Sequence, residues 1–272
     1  MELDSKQVLL EIVQRVAQVS KAGRETSLTV DPSKRSAADL IALVDFTTLA
    51  DVPASDREAL LTAAKLVCGA DKAAGALVGL AVADALGAPF EFMSVVDQPG
   101  ATGAYFDLPS FTAIGTEKAP ETTLAKKLKE GQWTDDTSMA LCLADTLLMG
   151  RYCGADVRVR FWNWWHRGYN NAFRNDKDRE SRRSIGLGGN VGKSLDAVRD
   201  AAPPPRYAVR SEDSGNGSLM RLAPVPIAFS GDIEKAMTVS AESSLTTHPG
   251  RVAASACHFL GFIISRAICS LS

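Results

Sequence analysis

The chain has 272 residues, of which 46% are hydrophobic, and this is enough to bury a sizeable core in one large domain, with or without an appendage. Its formal net charge of −2 and its pI near 6.0 exclude the broad basic surface of a nucleic-acid-binding protein. Its five cysteines, none with C-x-x-C spacing, favour reduced thiols over a disulfide framework or a zinc site.

The chain begins MELDSKQ, a polar and acidic start without the features of a secretory signal. The longest apolar run, residues 252–264, is shorter than a membrane-spanning helix, and Arg266 interrupts its continuation. We therefore expect a protein of the cytoplasm, or of another reducing compartment, that does not enter the membrane.

Residues 1–68 are predicted to form a helical extension. Apolar residues within 9–16 follow the i, i+3, i+4, i+7 spacing of one helix face, and Ser55 and Glu58 have the spacing of a capping box. No residue of the extension suggests chemistry, so we interpret it as a packing appendage or a partner-docking element.

Residues 69–272 are predicted to form the main domain. The small-residue-rich segment 73–92 predicts a buried helix that ends near Pro89, and the recurrence of Gly75, Gly79 and Ala83 would let another helix approach closely. Further helices are predicted over 134–148, 218–229, 232–245 and 250–268. No run of alternating strands stands out, so the fold class is predicted to be all-α.

Two carboxylates stand out in the C-terminal half of the segment 73–92. Asp84 lies inside an otherwise apolar segment, where a buried charge is costly unless it is paired or bound to a metal. Glu91 follows a proline among aromatic residues, and such surroundings can raise a carboxyl pKa and suit it to acid–base catalysis. The alternative is an ordinary helix end with a solvated glutamate.

The sharpest motif is Trp-Thr-Asp-Asp-Thr at 133–137, directly before an apolar helix. Thr134 could cap this helix, and Asp135 and Asp136 would then lie in its first turn, where the helix dipole favours negative charge. The functional alternative is a magnesium site, because a hydroxyl and two carboxylates are the oxygen ligands that Mg²⁺ prefers.

A glycine-rich segment forms a second candidate site. Gly215, Asn216, Gly217 and Ser218 could expose backbone amides and a hydroxyl to a phosphate, or form an ordinary turn with a serine cap. His248, in Thr-Thr-His-Pro, could contact the ligand or be structural.

The segment 188–194, which reads GGNVGKS, resembles a nucleoside triphosphate-binding loop only superficially. That loop needs a glycine where this chain has Leu187, and a buried strand where residues 176–184 are charged. A nucleoside triphosphatase is therefore not expected.

Taken in order, five segments make the chain resemble the ADP-ribosylglycohydrolase family. They are GLAVADALGAPFEF (79–92), WTDDTSMAL (133–141), SIGLGG (184–189), GNGSLMRLAPVPIAF (215–229) and LTTHPG (245–250). The resemblance implies a compact orthogonal bundle of helices that releases ADP-ribose from a modified protein side chain or from a small conjugate.

The resemblance also implies roles for individual residues. Thr134, Asp135 and Asp136 match ligands of two Mg²⁺ ions, and Glu91 would lie beside the ribose or the metal. We therefore expect Glu91, Asp135 and Asp136 to be catalytic. The segment 215–218 and His248 would line the phosphates and ribose of ADP-ribose.

One departure from the family pattern concerns the metal. A later Asp-x-Asp-Thr motif that completes the metal shell in the family is not found after residue 230, where the acids are Asp232, Glu234 and Glu242. The chain is thus expected either to lack the C-terminal part of the domain or to have lost half of the metal site. In the first case it would expose an apolar surface and self-associate through it. The alternatives to a hydrolase are an ADP-ribose-binding protein without turnover and a structural, crystallin-like relative.

Overall fold

The computed structural model describes residues 69–88, 91, 127–148, 151–173, 176–181, 183–199 and 203–270, together with Ser55, Glu58 and Thr62. These three isolated residues are helical, and the rest of the extension predicted over 1–68 lies outside the described residues.

The described part of the chain contains seven α-helices and no strand, which confirms the all-α prediction. They are α1 (Ala70–Gly87), α2 (Asp135–Leu147), α3 (Gly154–Arg167), α4 (Gly189–Asp196), α5 (Pro224–Ala228), α6 (Ile233–Ser244) and α7 (Arg251–Cys269). A short 3-10 turn covers Asn216–Ser218.

The predicted bounds of α2, α6 and α7 agree with the structure to within one residue at each end. The helix predicted over 218–229 is wrong, because this stretch contains the end of the 3-10 turn and then the short helix α5. Pro224 is the reason: it lacks an amide hydrogen, so it starts a helix well but cannot continue one. Helices α3 and α4 were not predicted.

The core lies between α2, α3, α4 and α5, with one face of α6 and α7 against it. Phe161 and Trp164 of α3 are fully buried beside Met139 and Leu143 of α2. Helices α6 and α7 form an antiparallel pair that approaches very closely at Gly261, where an added Cβ atom would lie 2.4 Å from Ser240 Oγ. Glycine at this position therefore sets the spacing of the two helices.

Helix α1 is more exposed than its composition predicts. Of its residues, Asp84 alone is buried, and Val78 and Val82 are at least half exposed. An added Cβ atom at Gly75 or Gly79 would meet no atom within 4 Å, so no described helix approaches there as the small-residue spacing predicted. The prediction of a buried helix is wrong for the described residues, because only the side of α1 that carries Asp84 faces α2.

Helix α7 also carries exposed apolar side chains, with Val252 71% exposed and Phe259 63% exposed. Its 19 residues, with a mean hydropathy of 1.6, have the length and composition of a membrane-spanning helix, although the apolar run within it is shorter. Core helices of globular proteins meet the same criterion, so helix length alone does not assign this segment to a membrane. Self-association through the exposed apolar surface stays a prediction.

The start of α2 is held by a carboxylate from α1. Asp84 accepts hydrogen bonds from the backbone amides of Thr134 and Thr137, at 3.0 Å and 2.9 Å, and from both of their hydroxyls at 2.7 Å. Thr134 occupies the N-cap position, but its side chain accepts no hydrogen bond from the helix amides, so the prediction that it caps α2 is wrong. Asp84 supplies the cap instead, because its two oxygens together can accept all four donors.

We expect Asp84→Asn to lower the free energy of unfolding by about 1.5–3 kcal/mol, because the amide loses the charge and one acceptor oxygen while four buried donors remain. The measurement is urea denaturation without divalent cations. The matched control is Asp71→Asn on the exposed surface of the same helix, which should change stability by less than about 0.5 kcal/mol. Equal effects of the two variants would contradict the capping role.

Candidate active site

One cavity of about 1030 Å³ lies between α1, the start of α2, the segment 184–191, the 3-10 turn and the loop before α7. Most of the residues predicted from the sequence line it. They are Glu91, Thr134, Asp135, Asp136, Gly215, Asn216, Gly217 and His248. The cavity therefore joins the acidic motif and the glycine-rich motif, which lie about 80 residues apart in the sequence.

The acidic end of the cavity is formed by the first turn of α2. Asp135 is 6% exposed, and burial, followed by the neighbouring charge of Asp136, raises the pKa of its carboxyl to about 8. Burial, followed by the charge of Asp84, raises the pKa of Asp136 to about 6. No ion pair to either carboxylate is formed within the described ranges.

Glu91 lies at the same end of the cavity and is partly buried. Burial and then the charge of Asp84 raise the pKa of its carboxyl, as its surroundings in the sequence suggested. Four carboxylates thus lie close enough to affect one another, and each gains from a nearby cation.

The oxygen donors at this end fit a hard divalent cation. The hydroxyl of Thr134 donates its hydrogen to Asp84 Oδ1, so its lone pairs remain available to a cation beside Asp135 and Asp136. Among the described residues, however, no three acid, histidine or cysteine side chains are grouped closely enough to hold a metal by themselves. A bound ion would therefore take part of its shell from water or ligand oxygens, as Mg²⁺ commonly does.

A glycine in the segment 184–189 fixes the position of Asp135. Gly186 has φ +86°, and an added Cβ atom would lie 2.3 Å from Asp135 Oδ1. The backbone conformation and the contact both require glycine there. No role was predicted for Gly186 from the sequence, although it lies in one of the family motifs. The available signal was an isolated glycine between Ile185 and Leu187, outside any helix.

The other end of the cavity is built on glycine and amide groups. An added Cβ atom at Gly215 would lie 2.9 Å from Asn190 Nδ2, and one at Gly217 would lie 3.1 Å from His248 Cε1. The missing side chains therefore keep this part of the cavity open and leave backbone exposed to a ligand. Asn190, held by a hydrogen bond of 2.7 Å to Asp213, lines the cavity and was not predicted.

Two predicted residues of this end lie deeper than the cavity surface. Ser218 is fully buried and does not line the cavity; its hydroxyl accepts a hydrogen bond from Ser244 at 2.8 Å. His248 lines the cavity through its ring edge, although the residue as a whole is almost completely buried. Burial and then the charge of Arg221 lower the pKa of His248 to about 4, so its imidazole is neutral near pH 7.

Side chains at the rim include Lys127 and Trp165. Trp165 lines the cavity while the preceding Trp164 is buried in the core, because successive helix positions point about 100° apart. Neither Lys127 nor Trp165 was predicted from the sequence as a residue of the site.

Three known proteins are similar to this chain over most of its length. ADP-ribosylarginine hydrolase Tri1 of Serratia proteamaculans is 30% identical over 201 residues, which is 72% of this chain and 47% of that protein. The protein of the same name from Pseudomonas putida is 30% identical over 262 residues, or 87% and 58%. The ADP-ribosyl-[dinitrogen reductase] glycohydrolase of Rhodospirillum rubrum is 28% identical over 203 residues, or 73% and 58%.

This chain spans about half the length of the curated relatives it matches. The family model described as ADP-ribosylglycohydrolase matches residues 68–271, a range that contains all seven described helices and every residue of the cavity. The family resemblance stated from the sequence motifs is thereby confirmed. The chain belongs to the ADP-ribosylglycohydrolase family.

Proposed function

We propose that the protein hydrolyses the bond joining ADP-ribose to a protein side chain or to a small conjugate. The observation that carries this proposal is a cavity that has a carboxylate-rich end and a glycine-rich end. The two ends suit the two parts of ADP-ribose, a ribose that reacts at C1″ and a diphosphate that needs hydrogen-bond donors. The printed names of the relatives support the same reaction class, since they are hydrolases of ADP-ribosylated arginine or protein.

The glycine-rich end offers donors to the diphosphate. Within the described residues, no carbonyl accepts a hydrogen bond from the backbone amides of Asn216 and Gly217 at the start of the 3-10 turn. Together with the side chain of Asn190 they can donate to phosphate oxygens without a cationic side chain. This neutral end agrees with the absence of a broad basic surface in the composition.

The acidic end would perform the hydrolysis. Bond breaking at C1″ develops positive charge on the ribose ring, which the carboxylates of Asp135 and Asp136 stabilise. Water forms the new bond to C1″, and Glu91 accepts its proton while the electron pair of the broken bond leaves with the acceptor side chain. The proton then passes to that leaving atom. Mg²⁺ held by Thr134, Asp135 and Asp136 would supply orientation of the ribose hydroxyls and acidification of the water.

A second candidate function is ADP-ribose binding without hydrolysis. It is favoured by the acidic end itself, where the described residues offer no complete protein shell for a metal. In this case the glycine-rich end would act alone, and the protein would bind ADP-ribose with or without Mg²⁺ but release none from a modified substrate. Independent measurements of ADP-ribose binding and of ADP-ribose release from a modified substrate separate the two functions.

The direct test is release of ADP-ribose from ADP-ribosylated arginine and serine peptides as Mg²⁺ is titrated. We expect Glu91→Gln to lower kcat by about 100-fold or more, because a proton acceptor is removed, with little change in ADP-ribose affinity. The matched control is Glu130→Gln, an exposed glutamate outside the cavity, which should retain full activity. ADP-ribose binding by the wild type without any release would favour the second candidate.

Affinity for Mg²⁺ is expected to rise between about pH 5 and pH 9, because a protonated carboxyl cannot bind a cation. The pKa values of Asp136 (about 6) and Asp135 (about 8) place both proton losses in this range. Without Mg²⁺, the free energy of unfolding is expected to change with pH in the opposite direction. The folded state holds these protons more tightly than the unfolded state, so the protein becomes less stable as the pH rises from near 4 towards 8.

Calorimetry in two buffers of different ionisation enthalpy measures both the affinity and the protons released. Thermal unfolding in EDTA over the same pH range measures the stability. If Asp135 is a ligand of the metal, Asp135→Asn should bind Mg²⁺ more weakly than the wild type. Its thermal stability in EDTA should also depend less steeply on pH. Affinity that does not change with pH in the wild type would rule out ligation by these carboxylates.

We expect Gly186→Ala to weaken Mg²⁺ binding by about tenfold or more, because the new methyl group must displace the Asp135 carboxylate. The control is Gly231→Ala, a glycine outside the cavity where the added Cβ atom would meet no atom within 4 Å. Calorimetry measures the affinity, and circular dichroism checks that each variant is folded. A Gly186→Ala protein that binds Mg²⁺ like the wild type would show that Asp135 is not a ligand.

A further inference from the structure

A cation lies buried beneath the glycine-rich end of the cavity and forms no ion pair with a carboxylate of the described residues. Arg221 is completely buried, and no acid within the described ranges forms an ion pair with it. Its guanidinium lies 4.4 Å from the centre of the Phe161 ring. Arginine is seldom buried unless it is paired, so this arrangement calls for another role.

Hydrogen bonds lead from this arginine to the cavity. Nη2 of Arg221 donates to Thr247 Oγ1 at 2.7 Å, to Thr246 Oγ1 at 3.1 Å and to the carbonyl of Ser243 at 3.3 Å. Thr247 Oγ1 also lies 2.8 Å from Nδ1 of His248. Arg221, Thr247 and His248 therefore form one continuous chain of contacts.

The direction of these hydrogen bonds follows from the chemistry of the groups. A guanidinium can only donate, so the Thr247 oxygen accepts from Arg221. The hydroxyl hydrogen then needs an acceptor, and in the described part of the chain Nδ1 of His248 is the acceptor within reach. A hydrogen on Nδ1 would leave the buried hydroxyl hydrogen without a partner, which is unfavourable.

The imidazole proton must therefore reside on Nε2, the nitrogen that faces the cavity. An ideal Cβ atom built on Gly217 would lie 3.3 Å from Nε2, and one built on Gly215 would lie 3.5 Å away, so the open space left by the two glycines is next to this nitrogen. No described residue accepts a hydrogen bond from it, which leaves the Nε2–H group free for a ligand oxygen.

We propose that Arg221 and Thr247 are positioning residues that hold His248 as the Nε2–H tautomer, so that a neutral imidazole donates a hydrogen bond to a ligand oxygen beside Gly215 and Gly217. The identity of that ligand as ADP-ribose rests on the proposed function, whereas the tautomer does not. In this tautomer His248 cannot accept a proton from the cavity side, so the proton acceptor of the reaction has to be at the acidic end.

Nitrogen-15 NMR of the imidazole rings in the full-length, ligand-free protein tests the tautomer. The chain has three histidines, and the signals of His166 and His258 are identified by their loss in His166→Gln and His258→Gln. We expect His248 to show a pyridine-type shift at Nδ1 and a pyrrole-type shift at Nε2. The opposite pattern, or an even mixture, would overturn the proposal.

Two isosteric variants test the positioning role. Thr247→Val removes the hydroxyl that contacts His248, and Thr246→Val removes an equivalent hydroxyl beside the same guanidinium that does not contact His248. We expect a tautomer mixture and about threefold to tenfold weaker ADP-ribose binding for Thr247→Val alone, with Thr247→Ser restoring both. Equal effects of the two valine variants would show a merely structural role.

Arg221→Met tests the first member of the chain, because the Thr247 hydroxyl is then free to rotate and the tautomer should become mixed. Retention of the Nε2–H tautomer in a folded Arg221→Met protein would overturn the role of Arg221. If this variant does not fold, the Thr247 variants decide the proposal. Should wild-type His248 have the expected tautomer while ADP-ribose fails to bind, the proposed function fails and the positioning role stands.

Discussion

The site depends on the four hydrogen bonds that Asp84 accepts at the start of α2. They connect residues 50 and 53 positions apart in the chain and satisfy amides and hydroxyls that would otherwise be buried without acceptors. By holding Thr134 and Thr137, Asp84 fixes the residues between them, Asp135 and Asp136, at the bottom of the cavity. A structural interaction thus places the residues to which we assign the chemistry.

The charge of Asp84 also adds to the repulsion between carboxylates at the acidic end of the cavity. Asp84 contributes to the raised pKa values of Glu91, Asp135 and Asp136, and no cation among the described residues forms an ion pair with these three carboxylates. The opposite end of the cavity presents backbone amides, Asn190 and an uncharged His248, and the buried guanidinium of Arg221 lies beneath it. This division is the physical basis of our proposal that the acidic end binds a divalent cation and the ribose, and that the other end binds the diphosphate.

Much of this arrangement could be predicted from the sequence, because local patterns determine it. Helix periodicity located α2, α6 and α7, and adjacent oxygen donors at 134–136 indicated a cation site. Other features depend on long-range contacts. The cap of α2 comes from Asp84, and the hydroxyl of Ser218 is directed towards Ser244 rather than the cavity. The role of Gly186 depends on the distance to Asp135 across the cavity, which no local pattern contains.

The central claim is that one cavity binds a divalent cation at Thr134, Asp135 and Asp136 and ADP-ribose towards Gly215–Gly217. The most direct measurement is anomalous diffraction from crystals containing Mn²⁺ and ADP-ribose. The account predicts an anomalous peak beside Asp135 and Asp136, with the diphosphate next to Gly215 and Gly217. A cavity that holds neither ion nor nucleotide at saturating concentrations, or ADP-ribose bound elsewhere on the protein, would contradict it.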